Sequence, residues 1–102
     1  MDVLLLVDLQ NDFLPGGSLA VTNGDQVIKV ANQLQQHFAT TLATQDWHPS
    51  HHASFAANHR GHQVGEVLDL RGIPQILWPV HCVQKTPGAE FSPQLNTAGI
   101  QH

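Results

Sequence analysis

Asp46, Trp47 and His48 are followed closely by His51 and His52, so one short stretch carries a carboxylate and three imidazoles. Alternate residues of an extended segment point to the same side, which lets Asp46 and His48 face one centre. Mixed carboxylate and imidazole ligation suits Zn, Mn or Fe(II), and two or three His with one carboxylate leave coordination positions open for water or substrate. A third ligand stands far along the chain in Trp78-Pro79-Val80-His81-Cys82. Taken alone, Asp46-x-His48 is also what a polar loop with surface histidines looks like.

Asp8 directly follows the apolar run Val3 to Val7, and Asp46 directly follows a second strand-like stretch. In a parallel sheet both carboxylates then emerge at the same carboxyl edge, where open α/β sheets bind ligands. Asp8 and Asp12 equally suit turn caps, because a short carboxylate bonds nearby backbone. Phe13 and Trp78 stand beside these polar groups in sequence and could stack a flat ring, with core packing as the rival account. Cys82 has the type and histidine-rich surroundings of a nucleophile, but a lone cysteine is more often a small buried hydrophobe, and that reading is preferred. His37 at a helix end complements the macrodipole, while His59, His62 and His102 have no carboxylate at ligand spacing and read as solvated.

The elements that must position these residues follow from apolar periodicity. Val3 to Val7 is a continuous apolar run between two acids, the pattern of a strand buried on both faces. Asn23-Gly24-Asp25 is a turn that can hand a cap to a helix, and Val27, Val30, Ala31, Leu34 and Phe38 fall on one helical stripe. Thr40 to Gln45 is rich in β-branched residues and closes a strand, helix, strand unit with a right-handed crossover, which makes the class α/β. Five of the six prolines fall between Pro49 and Pro93, so residues 46 to 97 read as mostly loop, with Gln75 to Trp78 as a brief strand. A loop that long is normally functional.

Composition sets outer limits. With 102 residues, 41% hydrophobic and 12% charged, the chain is one globular unit, below the length of most α/β enzymes. A formal charge of −4 removes the electrostatic drive toward nucleic acid or anionic membrane, although eight histidines make that charge sensitive to mild acid. One cysteine implies no oxidising compartment, and no segment resembles a signal or a membrane span, so the expected location is cytoplasmic.

Together, Val7-Asp8-Leu9-Gln10-Asn11-Asp12-Phe13, Pro15 to Val21, Gln45-Asp46-Trp47-His48-Pro49 and Trp78 to Gln84 resemble the nicotinamidase (pyrazinamidase) branch of the isochorismatase-like cysteine hydrolases. The resemblance runs over nearly the whole chain in the family's order. It implies a three-layer α/β fold around a parallel sheet, of which residues 1–102 are the N-terminal portion: the first βαβ unit plus a long metal-site loop. It also implies hydrolysis of nicotinamide to nicotinate and ammonia in NAD salvage. Asp8 matches the family's catalytic aspartate. Asp46, His48 and His81 match the ligands of one divalent ion, zinc ahead of manganese or iron, and Phe13 and Trp78 match the ring pocket. His52 matches a further ligand of some members, with His51 an alternative one residue away.

Cys82 matches a family cysteine that is not the nucleophile, and neither Lys29 nor Lys85 matches the catalytic lysine. The expectation is therefore that the 102 residues alone bind metal weakly at best and do not turn over nicotinamide. A metal-binding module without catalysis, or a same-fold hydrolase of another small amide, are the alternatives. Open sheet edges and a helix-free face would favour self-association or pairing with a missing C-terminal half.

Overall fold

Threonine-rich and leucine-rich runs meet in a parallel pair. In a computed structural model that describes residues 2–101, β1 (Val3–Val7) lies beside β2 (Thr40–Thr44), with Val3 opposite Thr40 and Val7 opposite Thr44. The helix α1 (Gln26–Gln35) makes the crossover between them, confirming the expected strand, helix, strand unit of an α/β fold. Asp25 occupies the N-cap position of α1 but its side chain makes no capping hydrogen bond, contrary to the expected cap.

The apolar stripe is rotated from the expected one. Ile28 and Ala31 are the buried residues of α1, whereas Val27, Val30 and Leu34 are 40–50% exposed. Ile28 and Ala31 pack with Leu6, Leu9, Leu95 and Ile100 in a single core on one face of the sheet. Partners in a parallel register share a face, so Val3, Leu5, Val7 and Leu42 form the other face, and each is more than a third exposed. The expectation that β1 is buried on both faces is thereby corrected. Only one side carries a helix, and among the described residues nothing covers the other.

Residues 46 to 97 are mostly loop, as expected, but hold more strand than the one brief piece read from sequence. They contain a hairpin, β3 (Val67–Leu70) and β4 (Ile73–Ile76), paired antiparallel with Leu70 opposite Ile73. Arg71 and Gly72 both have positive φ, 53° and 86°, the signature of a two-residue turn whose twist matches a hairpin. The expected strand at Gln75 to Trp78 starts earlier and ends at Ile76. A third parallel strand, β5 (Ile100–Gln101), adds to β2, giving the order β1-β2-β5. With 48 × 29 × 23 Å extents and a 15.8 Å radius of gyration, the chain is more open than the roughly 13 Å of a compact domain this size. Among the described residues no helix is long and apolar enough to cross a membrane.

Candidate metal centre

β2 ends at Thr44 and delivers Asp46 to the carboxyl edge of the sheet, two residues ahead of His48. The second ligand segment is laid alongside by backbone pairing: His48 N–H donates to the Cys82 carbonyl at 2.9 Å and Gln84 N–H to the His48 carbonyl at 2.8 Å. This bridge brings His81 to Asp46 across 35 positions of sequence. Asp46 Oδ1 lies 2.9 Å from His48 Nε2, and Asp46 Oδ2 lies 3.4 Å from His81 Nε2. One ligand atom from each of the three residues can be chosen so that all lie within 4.8 Å of one another.

The donor chemistry fits a divalent ion. Ligand bonds of about 2.0–2.2 Å in a tetrahedron place neighbouring donors roughly 3.3–3.6 Å apart, a range that holds the 3.4 Å from Asp46 to His81, while the 2.9 Å from Asp46 to His48 is shorter. His81 Nδ1 donates to the Pro79 carbonyl at 2.8 Å, which puts a proton on Nδ1 and leaves Nε2 as the ring nitrogen facing Asp46. A backbone carbonyl that fixes the tautomer in this way is the usual second partner of a metal-bound histidine. His81 is buried, while Asp46 and His48 are half-buried, so the set opens to solvent on one side.

His52, rather than His51, stands by this group, with its ring 4.7 Å from that of His48. Ser54 N–H donates to His52 Nδ1 at 3.1 Å, and an unprotonated Nδ1 leaves the neutral ring's proton on Nε2. His52 lies outside the three-residue cluster. Phe55, fully buried, is the floor under the imidazoles: its ring centroid is 5.4 Å from those of both His48 and His81 and 5.7 Å from that of His52.

The other predicted residues divide. Phe13, at the end of a single helical turn (Asn11–Phe13), packs its ring 5.8 Å from His81. Asp8 has a left-handed φ of 57°, and Thr44 Oγ1 donates to its Oδ1 at 2.7 Å. Asp8 and Phe13 line one cleft of about 420 Å³ with Val7, Val21 and Val27. Trp78 is 40% exposed and lies outside that cleft, its backbone paired to Ser54 and Ala56. Of the two residues expected to stack a flat ring, Phe13 lines this cleft and Trp78 does not.

Cys82 is fully enclosed, and burial pushes its thiol from 9.0 up to about 12, with the carboxylates of Asp46, Asp12 and Asp8 adding to the shift. This is the opposite of an activated nucleophile. His62 is exposed as expected, but it does have a carboxylate partner, its Nδ1 meeting Glu66 Oε2 at 2.7 Å, and His59 Nε2 meets the Ala53 carbonyl at 2.6 Å. His102 lies outside the described residues.

Over 98 residues the chain is 53% identical to the nicotinamidase of Acinetobacter baylyi, covering 96% of this chain and 46% of that protein. The chain is similar to nicotinamidases over nearly all of its own length. The fold agrees: the Acinetobacter baumanii nicotinamidase/pyrazinamidase superposes with a TM-score of 0.91 at 50% identity, covering 97% of this chain and 48% of that one. A pyrazinamidase of Pyrococcus horikoshii, solved in complex with zinc, superposes at 0.69 with 38% identity over 96% of this chain and 48% of that one. No protein-family model matches. The chain thus spans about half the length of these nicotinamidases. Two contributors escaped the sequence reading, Gln10 and Phe55. Gln10, whose side chain bonds the Asp46 backbone, stands three residues past the end of β1, and Phe55 offered no signal.

Proposed function

We propose that these residues supply the metal-binding and part of the ring-binding portion of a metal-dependent amide hydrolase that converts nicotinamide to nicotinate and ammonia. The observation that carries this reading is the convergence of Asp46, His48 and His81 at a sheet edge, with His81 Nε2 turned toward Asp46. Zinc is the ion we favour, supported by the donor set and by the zinc complex of the Pyrococcus relative. When bound, such an ion supplies positive charge and open coordination positions for a ring nitrogen or ordered water. Phe13 and Trp78 are assigned to the ring.

Asp8 is the catalytic residue we assign, the group that accepts a thiol proton. Amide hydrolysis further needs a thiolate, a cation to keep it ionised and donors for the oxyanion. Among the described residues Cys82 cannot supply the first, and the ion pairs involve histidines alone, so neither lysine accompanies Asp8. We therefore read residues 1–102 as the N-terminal portion of the hydrolase domain, inactive by itself, in a cytoplasmic enzyme of NAD salvage. The other reading is a metal-binding module without catalysis, which the same three ligands would serve.

Metal content and ammonia release test both. Zinc at one ion per chain, lost in Asp46→Ala and His81→Ala, supports the centre, and a chain that takes up no divalent ion overturns it. Nicotinamide turnover by the protein that carries this chain, lost in Asp8→Asn at unchanged metal content, supports the hydrolase. Metal binding with no turnover of nicotinamide or other ring amides by that protein leaves the module.

A further inference from the structure

The side chain of Gln10 is completely buried and spends all its donors on backbone. Its Nε2 donates to the Asp46 carbonyl and to the Ala89 carbonyl, each at 2.7 Å, and its Oε1 accepts from Asp46 N–H at 2.8 Å. The amide can sit in only one orientation, since a flip would set its oxygen against two carbonyls. Asp46 has left the β2 ladder at this point, so Gln10 replaces the missing strand partner and grips both its backbone polar groups.

Two residues on, Asp12 does the same for the other ligand segment. Its Oδ2 accepts from Cys82 N–H at 2.8 Å, across 70 positions of sequence. Cys82 holds a left-handed φ of 47°, so this bond pins an uncommon backbone turn immediately after His81. Gly88 leaves room for the carboxylate, because a Cβ there would overlap the Asp12 carboxyl atoms. Between them, Asn11 Nδ2 donates to the Pro87 carbonyl at 2.8 Å.

We propose that Gln10 and Asp12 are positioning residues of the metal centre, Gln10 holding Asp46 and Asp12 holding His81 through the Cys82 amide. The inference rests on the metal reading made above. A ligand set that must keep its geometry to about 0.5 Å needs such support, and groups in this position typically govern metal affinity by 10–100-fold.

Cobalt(II) is the probe, because its visible absorption reports ligand geometry as well as occupancy. On the full chain, Gln10→Leu and Asp12→Ala are expected to weaken Co(II) binding about 10–100-fold and to alter the spectrum. Asp12→Asn keeps an acceptor for Cys82 N–H and should retain wild-type affinity. Asn32 offers a control: it grips backbone in the same two-handed way, Nδ2 on the Gln94 carbonyl at 2.9 Å and Oδ1 on Asn96 N–H at 2.7 Å, in another part of the fold. Asn32→Ala should lower the thermal midpoint and leave the Co(II) affinity unchanged. Wild-type affinity and spectrum in Gln10→Leu and Asp12→Ala overturn the proposal, as does equal weakening in Asn32→Ala. If Gln10→Leu does not fold, the contrast between Asp12→Ala and Asp12→Asn decides, and equal affinities there overturn it. A wild-type chain that binds no Co(II) defeats the metal reading instead.

Discussion

Cys82 gives the sharpest quantitative test, because its type invites a nucleophile and its surroundings forbid one. The side chain is 0% exposed, and burial first, then the carboxylates of Asp46, Asp12 and Asp8, push the thiol to about 12. At pH 8 a thiol at its ordinary 9.0 is about 10% ionised, while one at about 12 is about 0.01% ionised, since each pKa unit is a factor of ten. Only the thiolate attacks, so alkylation by iodoacetamide should run at least roughly a thousandfold slower in the folded chain than in urea. Intact-mass measurement over time gives both rates. A divalent ion beside Asp46 would offset that carboxylate and leave the larger cause, burial, in place. The same shift sets a pH dependence. The folded thiol keeps its proton where the unfolded one releases it, so the contribution to stability is whole below about pH 9 and declines as pH rises toward about 12. Urea midpoints should fall more steeply between pH 9 and 11 in the wild type than in Cys82→Ala. Native alkylation at the unfolded rate at pH 8, or loss of metal in Cys82→Ala, would refute the bystander assignment.

Further expectations follow from packing and linkage. Phe55→Ala should cost about 3–5 kcal/mol by urea unfolding, a large share of the roughly 5–15 kcal/mol available to a domain, and a loss under 1 kcal/mol would mean the ring is not the floor of the site. Zinc at a hundred times its dissociation constant should add about 2.7 kcal/mol, seen as a higher thermal midpoint that a chelator reverses; the same rise in His81→Ala would remove that residue from the centre. Ile28→Ala should cost about 2–5 kcal/mol while Val30→Ala stays within about 0.5 kcal/mol, and the reverse order would restore the stripe expected from sequence. Asp46→Asn should weaken zinc binding while keeping the backbone grip of Gln10, which calorimetry can read directly; unchanged affinity would exclude that carboxylate as a ligand.

Much of the architecture was legible because its causes are local. Five consecutive apolar residues and a threonine-rich run identify β1 and β2 within a residue of their observed limits, and the helical repeat identifies α1, which ends at Gln35, short of His37 and Phe38. The hairpin was missed because five prolines and four glycines in that half dominated the reading, although Arg71-Gly72 between Leu70 and Ile73 carried the turn signal. Ligand types were equally plain: Asp46, His48 and His81 were named from residue chemistry and motif, and the fold gathers all three.

What the sequence determined by itself, then, is the βαβ unit, the likeness to nicotinamidases and the three candidate ligands, since each depends on spacing within a short window or on the motif. Tertiary structure alone decided which flank of α1 is buried, that one face of β1 stays bare, that His52 stands by the site without joining it, and that Phe13 reaches the cleft without Trp78. It alone revealed Gln10 and Asp12, whose partners lie 36, 79 and 70 positions away. Periodicity reports how a segment presents its own side chains. Which neighbour arrives to meet them depends on how distant segments pack, and no local pattern carries that.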